Sequence, residues 1–394
     1  MPGRLRLGND VFSMSLKRLV EAYETGARIV VAVSGGKDST VCVELAIMAA
    51  ELTGRLPVEA SFRDEEICYP GTAEYLERLH DRDEVELTWL VANQPVTNAF
   101  DRAMPYWWVF DPLVDPNDWV RQPPPYAQHT NELDIANMIT KWNYPVDDGQ
   151  ELIVVIGIRT NESKGRLMGL HSMGGHETGT SKYSGARNMW PIYDWTDPDV
   201  WLAFKRYGWD YNTAYDVMHR MGTKRSELRI GPPTMNGAGA DNLRKVGALA
   251  WPEWFDRVCH RLPTVRTFAK FGSAAIMPQR RAGETWEQAY QRINIDEAPD
   301  WIAERADIQR ERTLALHRHH SLVPFPQREP CTGCSVITCW MTLTNIMYNG
   351  DVFGNYATMG PVDPEFFRPG AGVYGQKARP KPVIRARLKA ASEP

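Results

Sequence analysis

The 394-residue sequence predicts an α/β protein: a doubly wound, mostly parallel sheet with helices on both faces, followed by a mainly helical C-terminal region. Three observations carry this. Residues 27–33 and 152–158 are apolar runs of strand length, as expected of strands buried on both faces of a parallel sheet. Segments of helical period separate such runs. Turns rich in Ser and Gly stand where strand gives way to helix.

In chain order, residues 17–24 read as a short helix and 27–33 as the first strand. From Asp38 onward, Val41, Leu45, Met48 and Leu52 recur at helical spacing. Residues 58–62 form a second strand, 72–82 a helix behind Pro70 and Gly71, and 85–91 a third strand, the repeat of right-handed crossovers. Residues 93–150 break the rhythm with Pro123-Pro124-Pro125 and with Trp107, Trp108, Trp119 and Trp142. This insertion, with a helix near 132–142, either roofs a pocket, makes an interface or closes an aromatic mini-core. Residues 152–158 are the next buried strand. Residues 165–185, rich in Gly, Ser, Thr and His, predict a mobile loop. A helix follows over 199–207, and further helices lie near 241–258 and 284–291.

Composition sets bounds. Hydrophobic residues make up 43% and charged residues 24%, ordinary for a chain that buries its core without disulfides. A net charge of −4 gives no bulk affinity for nucleic acid. The end is different: Arg368, Lys377, Arg379, Lys381, Arg385, Arg387 and Lys389 face one acid, Glu393. That tail reads as a solvated end or as a contact to a phosphate backbone. No stretch has the length of a membrane span, and no long apolar run follows the N-terminal basic residues. The expectation is a cytoplasmic protein without a membrane partner.

The first strand runs into Ser34-Gly35-Gly36-Lys37-Asp38-Ser39, which opens a helix. Paired glycines admit positive φ and close approach of a ligand. Successive N–H groups form an anion nest, and the helix N-terminus adds partial positive charge. A Walker A loop needs Ser or Thr after its Lys, and Asp38 stands there instead.

Three further segments fall at strand ends or after them. These are residues 64–72, with Asp64 and Tyr69-Pro70-Gly71-Thr72; residues 157–166, with Gly157, Arg159, Glu162, Ser163 and Arg166; and Pro191 to Trp201 followed by Tyr211-Asn212-Thr213-Ala214-Tyr215-Asp216. Together with the loop, this order resembles the PAPS-reductase family of the PP-loop (ATP pyrophosphatase) superfamily over roughly residues 15–220. The resemblance implies a nucleotide-binding domain over 1–220 carrying the insertion 93–150, a helical extension over 221–367 and the basic tail 368–394. It implies that Ser34, Gly35, Gly36, Lys37, Asp38 and Ser39 hold the phosphates of ATP or PAPS, with Asp38 orienting the loop or a Mg²⁺ ion. Asp64 is placed near the ribose or adenine, Arg159 and Arg166 on phosphate or sulfate, and Glu162 against an arginine. Lys37, Asp38, Arg159 and Arg166 are the catalytic candidates.

Cys331, Cys334 and Cys339 crowd into nine residues as C-x-x-C-x-x-x-x-C. That spacing puts several thiolates within reach of one ion. Cys259 is the first candidate for a fourth ligand, with His260, His317, His319 and His320 behind it. Structural Zn²⁺ and a [4Fe–4S] cluster both suit the set; reduced thiols and a redox disulfide are the alternatives. The chain lacks the Glu-Cys-Gly-Leu-His end of thioredoxin-dependent PAPS reductases and the adjacent Cys-Cys pair of adenylyl-sulfate reductases.

Three functions follow as expectations. The first is activation of an acceptor by adenylation with pyrophosphate release, for sulfur transfer to a nucleic acid. The second is reduction of a sulfonucleotide. The third is a non-catalytic nucleotide-binding partner of a second protein. An adenine nucleotide is the common ligand, and a second copy of the chain is a further partner that fits.

Overall fold

A computed structural model describes residues 10–130, 139–141, 143–173, 177–180, 185–234, 240, 242–271, 278–331, 338–354 and 360–368. The chain divides into two compact units, residues 10–94 with 108–262 and residues 95–107 with 263–368.

The first unit begins with α1 (Val11–Glu24), capped by the Asp10 carboxylate, which accepts the Ser13 amide at 2.7 Å. Then come β1 (Arg28–Val33), α2 (Lys37–Thr53), β2 (Val58–Asp64), α3 (Thr72–His80) and β3 (Val85–Ala92). The short strands β4 (Pro95–Thr97) and β5 (Tyr106–Trp108) pair with each other and, apart from Trp108, belong to the second unit. The series resumes with β6 (Gln128–Thr130), β7 (Leu152–Ile156), α4 (Lys164–Met173), β8 (Glu177–Thr180), β9 (Arg187–Met189), α5 (Asp197–Tyr207), α6 (Ala214–Arg220) and α7 (Pro252–Arg261).

Seven strands form one sheet in the order β6-β3-β2-β1-β7-β9-β8. Every pairing is parallel except that of β8 with β9. The doubly wound sheet with helices on both faces is therefore present. β1 lies at its centre, and Val30 and Val31 are fully buried. α2 is apolar on most of its surface and buried along most of its length, as a helix packed within a core must be. The chain leaves β1 toward β2 on one side and returns beside it as β7 on the other, a topological switch point.

Residues 165–185 depart from expectation. They hold α4 and β8 rather than a loop. Glycine in a helix costs only about 1 kcal/mol relative to alanine, so Gly165 and Gly169 do not prevent α4 from forming. Gln128–Thr130 and Arg187–Met189 are strands too short to leave a period in the sequence. The helix expected over 132–142 lies mostly outside the described residues.

Part of the aromatic insertion packs inside. Trp108, Val109 and Phe110 are buried, and Phe110 meets Trp119 edge-on at 5.2 Å. Glu66 organises this corner. It takes φ 58° and is fully buried. Its carboxylate accepts the amides of Phe110 at 2.7 Å and Val120 at 3.1 Å, and Arg261 Nε at 2.8 Å. One carboxylate thus ties the turn after β2 to the 108–120 segment and the end of α7.

The chain beyond α6 stays in the first unit as far as Leu262. Leu228, Ile230 and Val246 share a core with Tyr69, Ala214, Tyr215 and Met218.

The second unit contains α8 (Thr264–Phe271), α9 (Trp286–Gln291), α10 (Asp300–His320) and α11 (Trp340–Met347). Its core is Tyr290, Ala306, Phe325, Trp340, Leu343 and Met347, and the Tyr290 hydroxyl donates to the Ala306 carbonyl at 2.7 Å. Among the described residues, no helix is long and apolar enough to cross a membrane.

Candidate functional site

A cleft of about 620 Å³ opens in the first unit at the carboxyl ends of β1, β2 and β7. The Ser34–Ser39 loop forms its floor. Gly35 takes φ 70°, and a Cβ there would lie 2.8 Å from Thr72 Cγ2. Gly36 differs: it is the N-cap of α2 in an extended conformation, φ −84°. Only the first glycine is needed for positive φ. Gly36 supplies no capping side chain, so first-turn amides of α2 have no intrahelical acceptor. Gly157, just past β7, packs on this turn. A Cβ on it would stand 2.7 Å from the Asp38 carbonyl carbon and 2.8 Å from the Ser39 amide nitrogen.

The loop is held from behind by residues 211–216. Asn212 Nδ2 donates to the Gly35 carbonyl at 3.3 Å and to Thr72 Oγ1 at 2.8 Å. The Lys37 amide donates to the Tyr215 hydroxyl at 3.0 Å. Burial raises the Tyr215 hydroxyl far above the ordinary phenol range, with the Asp38 charge adding to it, so it stays protonated. Ser39 Oγ donates to the Gly36 carbonyl at 2.9 Å and accepts the Ser34 amide at 3.2 Å.

Charge gathers beside the loop. Arg159 Nε donates to Asp38 at 2.7 Å, and its Nη2 lies 3.3 Å from Glu162 and 3.8 Å from Asp197. Lys37 Nζ lies 3.5 Å from Asp38 and 3.7 Å from Asp197. Arg166 pairs with Glu162, Arg225 with Asp197 at 3.1 Å, and Arg229 approaches Glu162 at 3.9 Å. Within this network five cations meet three carboxylates, leaving a positive surplus. Burial pulls the Lys37 pKa down, opposed by the carboxylates of Asp38 and Asp197. Burial also lowers Arg166, and the nearby Arg229 charge lowers it further.

The predicted residues separate into two groups. Ser34, Gly36, Lys37, Asp38, Ser39, Glu162 and Arg166 line the cleft. Gly35, Asp64 and Arg159 are not among the lining residues. Asp64 is 0% exposed; its carboxylate takes the Trp89 indole N–H and the Glu66 amide, each at 2.9 Å, and pairs with Arg121. Its chain neighbours Arg63 and Glu65 face the cleft in its place. Arg159 is 3% exposed, and its fork donates to Asp38. Gly157, Asp197, Asn212, Tyr215 and Arg229 were missed as site residues. The first four stand in the quoted motifs, which was the available signal; Arg229 follows all of them.

The candidate cysteines fall in both units. Cys259 is buried in α7 of the first unit, while Cys331 and Cys339 belong to the second. Cys339 is the N-cap of α11: its Sγ accepts the Thr342 amide at 3.5 Å and lies 2.9 Å from the Arg328 carbonyl it donates to. Cys334 lies outside the described residues. Among those described, no group of three or more His, Cys, Asp or Glu side chains is disposed to hold a metal ion.

Residues 28–222 match the phosphoadenosine phosphosulfate reductase domain. The uncharacterized protein YbdN of Escherichia coli K12 is 21% identical over 390 residues, 91% of this chain and 92% of its own. Among solved structures, the Candida glabrata FMN adenylyltransferase in complex with ATP is 13% identical over 52% of this chain, with a TM-score of 0.34; the chain spans 57% of its length. The phosphoadenylyl-sulfate reductase of Candida auris, in a phosphate complex, is 15% identical over 58% of this chain and 97% of its own, with a TM-score of 0.32. The chain therefore carries a phosphoadenosine phosphosulfate reductase domain over residues 28–222.

Proposed function

We propose that this chain is a nucleotide-dependent transferase that binds ATP with its Mg²⁺ on the Ser34–Ser39 loop and moves the adenylyl group to an acceptor. One observation carries this reading: the N-terminus of α2, whose N-cap Gly36 supplies no side chain, and a surplus of cations meet in one cleft at the switch point of the sheet. In the reaction an acceptor nucleophile forms a bond to the α-phosphorus. The bond from that phosphorus to the bridging oxygen breaks, and pyrophosphate leaves with the electron pair. The first-turn amides of α2 and Lys37 take up the growing charge on pyrophosphate. Arg159 keeps Asp38 turned toward itself and Lys37. Both Asp38 oxygens are thereby engaged, so Mg²⁺ arrives as part of the substrate, held by its phosphates. The acceptor we favour is a nucleic acid, reached through the basic tail.

The family match supports a second reading, reduction of a sulfonucleotide. A thiolate would attack the sulfur of the sulfuryl group, forming an S–S bond and releasing the nucleotide; a second thiol would then release sulfite. Among the described cysteines, Cys68 is the one that lines the cleft, and burial raises its thiol, which opposes that role.

The test is incubation with ATP-Mg²⁺ and an oligonucleotide, reading pyrophosphate and transferred label. A parallel incubation with PAPS and a dithiol reads sulfite. Acceptor-dependent pyrophosphate supports the transferase. Sulfite without pyrophosphate supports the reductase, and absence of both rejects the two readings.

A further inference from the structure

A second cavity, of about 350 Å³, opens in the first unit at the amino ends of β1, β2 and β7, the edge of the sheet opposite the phosphate loop. β1 starts in this cavity at Arg28 and reaches the loop six residues later, about 20 Å away. The wall is built before any ligand arrives. Arg28 donates to Glu59 through Nε at 3.0 Å and Nη2 at 2.6 Å, and through Nη1 to the Pro145 carbonyl at 2.7 Å. Gln150 pins the turn before β7: its Oε1 accepts the Asp147 amide at 3.3 Å, and its Nε2 donates to the Gly26 carbonyl at 2.8 Å.

Two donor groups face this cavity. Tyr23, near the end of α1, is 5% exposed and lines it, and its hydroxyl has no hydrogen-bond partner among the described residues. Burial raises that hydroxyl far above the ordinary phenol range, so it keeps its proton; the charges of Arg55 and Glu59 act on it in opposite senses. Arg55 is exposed, and its Nη2 donates to the Ala27 carbonyl at 3.2 Å; the other N–H groups of the fork remain for a ligand. A buried donor without a partner is costly, and an acceptor from outside relieves it. Arg28 and Glu59 satisfy each other, so the charges left over are those of Arg55, which precedes β2, and Asp147, which precedes β7. β1 lies between those two strands. Opposite charges therefore flank the cavity.

We propose that this cavity binds a small zwitterion, an amino acid or a short peptide, whose carboxylate accepts from the Tyr23 hydroxyl and the Arg55 guanidinium and whose ammonium group faces Asp147. A charge-assisted bond from a guanidinium to a carboxylate is among the strong ones. An anion alone would meet the Asp147 charge and a cation alone the Arg55 charge, so each binds less well than the molecule that carries both. The site shares no lining residue with the phosphate cleft, and its ligand does not compete with a nucleotide.

The experiment titrates the full chain by calorimetry with each proteinogenic L-amino acid and with dialanine, and with acetate and ethylamine as the two half-ligands. At least one zwitterion is expected to bind about tenfold or more tighter than either half-ligand. Tyr23→Phe and Arg55→Gln are each expected to weaken it by about tenfold, and Asp147→Asn to weaken it while leaving acetate no worse. Tyr23→Phe also separates binding from folding. It removes a hydroxyl that makes no bond within the protein, so the melting temperature without ligand should hold or rise. A lower melting temperature with unchanged binding makes the hydroxyl structural and overturns the site. Binding of no probe, acetate binding as tightly as the best zwitterion, or affinity indifferent to all three variants overturns it as well. Saturating ATP should leave the titration unchanged; displacement by ATP would put the zwitterion in the phosphate cleft and sink the second site.

Discussion

The Lys37 amide donates to the Tyr215 hydroxyl at 3.0 Å, so the first N–H of α2 is occupied by the protein itself. Tyr215 is buried, and replacing it with Phe leaves that donor without a partner. A buried unsatisfied donor costs about 1–3 kcal/mol. Tyr215→Phe is expected to lower the melting temperature by several degrees and to weaken nucleotide binding, because the turn that presents the next amides loosens. Thermal melts with and without ATP check this; a variant with both values unchanged refutes the role.

Asp38 and Arg159 should behave as one unit. Arg159 is 3% exposed and forks onto Asp38. Removing one partner strands a buried charge, at about 3 kcal/mol or more. Asp38→Asn and Arg159→Met singly are each expected to destabilise by this order, and the double variant by clearly less than their sum. Denaturant unfolding of all four proteins gives the coupling directly. Simple additivity would separate the pair.

The glycines of the site are not equivalent. Gly35→Ala forces φ 70° on a residue with a Cβ, at about 1–2 kcal/mol, and crowds Thr72. Gly157→Ala drives a methyl into the Asp38–Ser39 backbone and is expected to be the most damaging. Gly36→Ala is tight only against the Ser34 hydroxyl at 3.2 Å, meets Tyr215 and Ile230 at ordinary contact distance, and has an ordinary φ. It should fold almost normally while placing a methyl in the cleft and reducing nucleotide affinity. Stability and affinity measured side by side test this order.

The second unit carries an acid-sensitive pair. Arg292 donates to both oxygens of Glu284, at 2.8 and 2.9 Å. That hydrogen bonding holds the Glu284 pKa down to about 2, from an ordinary 4.5. A carboxylate whose pKa is depressed on folding contributes stability above its unfolded value, and the contribution is lost as pH falls from about 4.5 toward 2. Glu284→Gln should lower stability at neutral pH slightly and flatten the decline across that window. Hydrogen exchange in α9 as a function of pH measures it; an unchanged slope counts against the pair.

Much of the first unit was legible because its physics is local. Residues 29–33 and 152–156 are largely buried, on both faces of the sheet, so they had to be apolar, and the Ser-Gly-Gly-Lys-Asp-Ser turn announces itself. Side-chain destinations were not legible. Arg159 and Arg166 look alike in the sequence, yet Arg159 precedes a tight turn and is buried, while Arg166 sits on the first turn of α4 and reaches the cleft. Asp64 ends its strand as expected, but Trp89 and Arg121, distant in sequence, claim its carboxylate. Cys339 stands near Cys331 and Cys334 in the chain, but its thiol caps a helix. Arg229 had no motif to mark it, because its placement depends on Asn242, whose Nδ2 donates to the Arg229 carbonyl at 3.2 Å.

The buttress at Leu228 and Ile230 bears on how this module can be moved between proteins. A fragment cut at residue 222, where the recognisable domain stops, would leave Tyr69 and Tyr215 without the neighbours that cover them and would lose one bank of its cleft. The portable piece is longer than its signature. It runs to Leu262, where the first unit ends, and a chimera built on the shorter boundary would inherit the phosphate loop but not the shape of what the loop can hold.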